Sequence, residues 1–205
     1  MRATTEQVFV PGPAGRIECA IDKPQGPARG IALIAHPHPL YGGTLDNKVV
    51  QTLARAFVEL GYETWRPNFR GVGKSEGGYD EGRGEVEDLG AVFSHFGAEG
   101  KKIVLAGFSF GAAMQARFCE KLRTENKFTP ERLLLVGVAV VHFETPAVPP
   151  GTLVIHGEMD ETVPLAAVLD WARPQELPIV LVPGAEHFFH HKLPLLRSIV
   201  ESSWK

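Results

Sequence analysis

Cysteine is scarce in this chain, charge is almost balanced, and no long apolar run opens it. Only Cys19 and Cys119 occur among 205 residues. That is too few for a disulfide scaffold, and their separation gives no metal-ligand spacing. Both sit in apolar segments and read as buried thiols in a reducing compartment. Lys and Arg total 21 against 24 Asp and Glu, a formal charge of −3. This balance gives no general electrostatic ground for binding nucleic acid or an anionic membrane. The stretch from Met1 to Gly12 lacks the apolar core of a signal peptide or anchor, so the cytoplasm is the expected location. No internal repeat and no Ser/Gly-rich linker divides the sequence, so one domain over residues 1–205 is expected.

What is present is the composition of an ordered globular protein: 44% hydrophobic and 22% charged residues. The 22 glycines and 16 prolines imply many tight turns between regular elements. Gln7 to Val10 and Arg16 to Ile21 read as an antiparallel hairpin, and Ile31 to Ala35 as a strand covered on both faces. From Lys48 to Leu60, Val49, Leu53, Phe57 and Leu60 form one helical face that Gly61 terminates. Strands are then expected at Tyr62 to Arg66, Ile103 to Ala106, Leu133 to Val140, Leu153 to His156 and Ile179 to Val182. Helices are expected at Glu85 to Phe96, Phe110 to Leu122, about Pro164 to Ala172 and from about Pro194, with His190 and His191 opening the last. This alternation implies an α/β fold, a mostly parallel sheet with helices on both faces. Ligands on such sheets bind beyond the carboxyl ends of the strands.

The loops at those ends carry the chemistry. Gly107-Phe108-Ser109-Phe110-Gly111 joins a buried strand to a helix, the setting in which a strained turn lifts a serine hydroxyl above the sheet. A serine nucleophile needs a histidine base oriented by a carboxylate, in the chain order serine, acid, histidine. Asp160, beyond the strand Leu153 to His156, and His187, beyond the strand Ile179 to Val182, supply that order. Ser109 is therefore the expected nucleophile, His187 the general base and acid, and Asp160 the group fixing the imidazole tautomer. Glu158 and Glu144 compete for the acid role. A developing oxyanion needs two donors. One is the Phe110 N–H at its helix start. The other is expected from the loop His36 to Gly43, where Pro37 and Pro39 have no N–H. His38, Leu40 and Tyr41 remain, with His38 favoured. Tyr41, Phe108, Phe143, Met159 and Phe188 are candidate pocket walls.

In these motifs the chain resembles the α/β-hydrolase superfamily, particularly its small members near the dienelactone-hydrolase and prolyl-oligopeptidase-like branches. The matching stretches are His36 to Val49, Asn68 to Asp88, Gly107 to Gly111, His156 to Pro164 and Pro183 to Phe189. The resemblance implies an open sheet of about eight strands. Many relatives carry His-Gly where His36-Pro37 stands, and relatives with a cysteine nucleophile differ at Ser109, which argues against the dienelactone reaction. Lids in the superfamily follow the sixth strand. The twelve residues expected there, Val141 to Thr152, include Pro146, Pro149 and Pro150, leaving no room for a helical lid.

Two other motifs invite different chemistry. Gly71-Val72-Gly73-Lys74-Ser75 mimics a phosphate loop, but Asn68 stands where the first glycine belongs and no helix follows. Relatives carry a similar Arg-Gly-x-Gly-x-Ser stretch here. His36-x-His38 lacks partners at metal-ligand spacing, and the acids from Glu76 to Asp88 read as a solvated loop and helix start. The sequence thus points to a cofactor-free and metal-free serine hydrolase acting on esters or thioesters of a small acyl molecule. A small peptidase or amidase with the same residues is the alternative, and a non-catalytic hydrolase-fold binding protein another. An oligomer is possible but not indicated.

Overall fold

The structure, a computed structural model, describes residues 5–97 and 100–204. The expectations for Met1 to Thr4 lie outside them. Eight strands form one sheet: β1 (Glu6–Gly12), β2 (Gly15–Asp22), β3 (Gly30–Ala35), β4 (Tyr62–Pro67), β5 (Ile103–Phe108), β6 (Arg132–Val136), β7 (Leu153–Gly157) and β8 (Ile179–Val182). Their spatial order is β1-β2-β4-β3-β5-β6-β7-β8. The β1–β2 hairpin joins β4 antiparallel, and every later pairing is parallel. Five helices cover the faces: α1 (Lys48–Glu59), α2 (Arg83–Phe96), α3 (Phe110–Thr124), α4 (Leu165–Ala172) and α5 (Leu193–Ser203).

The central strands are apolar along their whole length because both faces are covered, yet period-two alternation still sorts them. Ile31, Leu33, Ile103, Leu105, Leu133 and Leu135 enter one core, with residues of α2, α3 and α4. Ala32, Ile34, Val104, Ala106, Leu134 and Val136 enter the other, with residues of α1 and α5. The α1 face read from the sequence is buried as Val49, Leu53 and Phe57. Its start is capped by the Asn47 carboxamide oxygen, which accepts from the Val49 and Val50 N–H groups.

Three expectations need correction. Strand β6 ends at Val136 rather than Val140, because Gly137 turns the chain out of the sheet at φ +53°. Residues 137–152 then run to β7 with no helix among them. His190 and His191 lie in turns ahead of α5, which starts at Leu193. The acids at the start of α2 are not all solvated, for Glu85 and Asp88 are fully buried. Each has partners that make burial tolerable. Glu85 accepts from the Asp80 and Gly82 N–H groups. Asp88 accepts from the Arg70 backbone N–H and takes the guanidinium through Nε and Nη2. The glycine-rich loop after β4 is likewise held by the protein itself. Ser75 Oγ donates to the Asn68 carbonyl at 2.8 Å and accepts from the Glu18 N–H at 2.9 Å, so its hydroxyl is engaged within the fold.

Candidate active site

Ser109 ends the β5–α3 connection at φ 56°, ψ −117°. A non-glycine residue in that region costs of order 1–3 kcal/mol, and such strain persists only where the surroundings impose it. Here they do, through close packing. A Cβ on Gly107 would meet the Gly111 carbonyl, and one on Gly111 would meet the carbonyls of Ala35 and His36. Only glycine at both positions lets α3 start this close to β5 and to the loop after β3. The Ser109 N–H donates to the Val136 carbonyl, and its carbonyl accepts from Ala113.

Beyond β7, Asp160 closes a turn in which Oδ1 accepts from the N–H groups of Thr162 and Val163, at 3.0 and 2.8 Å. Its other oxygen, Oδ2, lies 2.7 Å from His187 Nδ1. His187 Nε2 lies 3.0 Å from Ser109 Oγ. A carboxylate accepts only, so Nδ1 carries the proton and Nε2 presents its lone pair to the Ser109 hydroxyl. The three residues are 8% (Ser109), 5% (Asp160) and 4% (His187) exposed, which shelters this chain of hydrogen bonds from water although the sheet edge is open. The His187 ring is also held sterically. Phe108 packs at a ring separation of 5.0 Å, and a Cβ on Gly137 would stand 3.4 Å from His187 Nδ1 and Cε1.

Of the competing acids, Glu158 accepts from the Gly184 N–H, and Glu144 meets Arg117 through its backbone carbonyl; among the described residues the carboxylate bonded to His187 is that of Asp160. His156 is fully buried beneath Asp160, with Nε2 donating to the Val163 carbonyl at 2.9 Å. Burial depresses its pKa.

The loop after β3 narrows the choice of second oxyanion donor. The Leu40 N–H donates to His38 Nδ1 and the Tyr41 N–H to the His38 carbonyl. The N–H groups of His38 and Phe110 donate to nothing among the described residues. His36, which the H-x-H reading made a metal candidate, uses both ring nitrogens within the protein: Nδ1 bonds the Pro37 carbonyl and Nε2 the Phe69 N–H. Burial pushes its pKa down to about 4.

The candidate pocket residues separate. Phe143 is half-buried and packs on His38 and Phe110, and Tyr41 is exposed and leans on the His38 ring. Met159 and Phe188 are exposed, Phe188 stacking edge-on to His187. Phe108 is fully buried beneath the His187 ring, so it supports the site and lines no open pocket. Tyr79 was not anticipated. It packs on His38 and Phe110 from a loop without periodicity, where sequence spacing carries no signal.

This sheet order, its elbow serine and the helix-free connection after β6 define a lidless α/β serine hydrolase. Comparison with known proteins agrees. The family model described as serine aminopeptidase, S33, matches residues 29–171, most of the chain. The protein XC6422 of Xanthomonas campestris, a serine hydrolase without a lid, superposes with a TM-score of 0.88 at 36% identity, over 99% of this chain and 94% of that one. A serine hydrolase homologue from Coxiella burnetii gives 0.84 at 39% identity over 98% of each chain. A Rickettsia prowazekii protein, RP471, is 34% identical over 201 residues, 91% of this chain and 83% of that protein. The chain belongs to this serine hydrolase family of the α/β-hydrolase superfamily.

Proposed function

We propose that this protein hydrolyses carboxylic esters or thioesters of small molecules, with Ser109, His187 and Asp160 as a catalytic triad. The observation that carries this reading is the unbroken hydrogen-bond chain from Asp160 Oδ2 through His187 to Ser109 Oγ. As Ser109 Oγ bonds to the acyl carbon, its proton passes to His187 Nε2, and Asp160 stabilises the resulting imidazolium. The tetrahedral oxyanion accepts from the N–H groups of Phe110 and His38. Collapse breaks the bond to the leaving alkoxide or thiolate, which takes the proton from His187. Water then bonds to the acyl carbon as it gives a proton to His187, and collapse of this second tetrahedral intermediate breaks the bond to Ser109 Oγ, which takes that proton back from His187 as the acid leaves. No helix among the described residues is long and apolar enough to cross a membrane. Cys19 and Cys119 are both free and buried, in keeping with a reducing compartment, and cytoplasmic residence is part of the same reading.

The test compares wild type with Ser109→Ala on p-nitrophenyl acetate and butyrate, with a fluorophosphonate probe alongside. Turnover and labelling in wild type, and neither in the variant, are expected; equal rates in both would refute the assignment of Ser109. The family description favours one second reading, cleavage of an aminoacyl amide. Faster turnover of aminoacyl p-nitroanilides than of esters would establish it instead.

A further inference from the structure

The peptide bond between Pro37 and His38 supplies both the Pro37 carbonyl and the His38 N–H. It is trans, as are all peptide bonds among the described residues, so the two groups share one plane and point in opposite directions. Whatever fixes the carbonyl therefore aims the N–H. Two contacts fix it. His36 Nδ1 lies 2.6 Å from the Pro37 oxygen. The Phe69 N–H donates to His36 Nε2 at 3.0 Å, which keeps the proton on Nδ1 and makes that nitrogen a donor. On another side Gly43 approaches so closely that a Cβ there would lie 2.0 Å from the same oxygen. The next residue is held too. The His38 ring packs 4.8 Å from Tyr41, 4.9 Å from Tyr79 and 5.1 Å from Phe110, and its Nδ1 accepts from Leu40. Phe110 is the other oxyanion donor, so these contacts tie the two donors to one frame.

The geometry points to His36 as a positioning residue for hydrolysis: its ring, anchored on the Phe69 N–H, clamps the Pro37 carbonyl and so holds the His38 N–H ready for the oxyanion. Gly43 is the steric half of the clamp. His36 is fully buried, and both its ring nitrogens are engaged by the protein, so it acts through the peptide it holds. This inference rests on the ester-hydrolase reading. It gives this chain a means of orienting the donor through the proline that stands where many relatives have glycine.

The substitutions His36→Gln, His36→Asn and Gly43→Ala test it, with kcat, KM and thermal melting measured on p-nitrophenyl acetate beside wild type and Ser109→Ala. Gln places its amide near the former Nε2 and can keep the Phe69 contact, but leaves the Pro37 carbonyl without its donor. Asn places an N–H near the former Nδ1 and restores that donor. Loss of one oxyanion donor costs about a hundredfold or more in kcat. His36→Gln is expected to approach that loss with KM little changed, and His36→Asn to recover at least about tenfold of it. Gly43→Ala is expected to lower kcat with His36 intact, which keeps the test decisive if a His36 variant fails to fold. Equal kcat in the Asn and Gln variants, or a wild-type kcat in Gly43→Ala, would overturn the clamp while leaving the hydrolase reading standing. A wild type that neither turns over esters nor takes the fluorophosphonate would overturn the hydrolase reading, and the clamp's role with it.

Discussion

Asp160→Asn is expected to silence the site without unfolding it, for a reason visible in the carboxylate's partners. One oxygen, Oδ1, accepts from two backbone N–H groups, those of Thr162 and Val163; the other, Oδ2, accepts from His187 Nδ1. Asparagine has one oxygen and one NH₂ to distribute between these places. Turning the NH₂ toward the two N–H groups would set donors against donors and leave buried N–H groups unsatisfied, at about 1–3 kcal/mol each. The oxygen therefore stays with Thr162 and Val163, and the NH₂ faces His187. A donor there makes Nδ1 the acceptor and moves the imidazole proton to Nε2, 3.0 Å from Ser109 Oγ. The base then presents a proton where a lone pair is needed. The wrong tautomer in a serine triad costs about 10⁴ in kcat, or about 5 kcal/mol of barrier. Burst-phase and steady-state turnover of p-nitrophenyl acetate measure the loss, and urea unfolding measures stability. Asp160→Ala strands both N–H groups and is expected to be the less stable variant. If Asp160→Asn kept kcat within about tenfold of wild type, the tautomer argument and the acid's role would both be wrong.

Backbone strain at Ser109 gives a second expectation, in which Ser109→Gly and Ser109→Ala, both without the hydroxyl, are compared by thermal unfolding. Glycine in ordinary conformations is the less stable of the two, but at φ 56° it is expected to be the more stable by about 1 kcal/mol; the opposite order would show that the elbow carries no strain. A third concerns pH. His36, ordinarily near 6.5, is held to about 4 by burial, so between these values the unfolded chain binds a proton that the folded one does not. Stability is therefore full above pH 6.5 and lost as pH falls to about 4, by about 3 kcal/mol, with buried His156 shifted in the same direction. Urea unfolding between pH 7 and 5, above the range of the depressed carboxylates Asp80 and Glu186, reads the histidines; a flat profile there would refute the assignment.

The parts of this molecule legible from sequence are those where a short-range pattern has one structural solution. The apolar runs of β3 and β5 admitted only buried strands. The Gly107–Gly111 spacing marked the elbow because no side chain fits at either end of it. Ser109, Asp160 and His187, read from loops beyond the carboxyl ends of three parallel strands, lie within hydrogen-bond distance of one another along the chain Asp160–His187–Ser109. The misreadings arose where a buried partner, a single turn residue or the face of a strand decides, rather than the run of residue types. Glu85 and Asp88 looked solvated because carboxylates seldom go under, but Arg70 and the backbone of Asp80 and Gly82 lie waiting for them. Leu133 to Val140 looked like one strand because its apolar run continues past Gly137, whose left-handed turn ends the pairing. Phe108 looked like a pocket wall from its place beside Ser109, whereas strand alternation sends its ring beneath His187.

The lack of a lid changes what must keep this site in order. In a lidded enzyme, closure can exclude water and complete the donors as substrate enters. Here residues 137–152 form no helix, so both tasks fall to groups already in place. Ser109, His187 and Asp160 are each under one-tenth exposed. Rings achieve that without closing over the site: Phe108 and Phe188 around His187, Phe143 against Phe110 and His38. The proposed donor side would depend on bonds within one loop and from that loop to Phe69. Electrostatic stabilisation of a transition state is strongest when donors need no reorganisation at the moment of reaction.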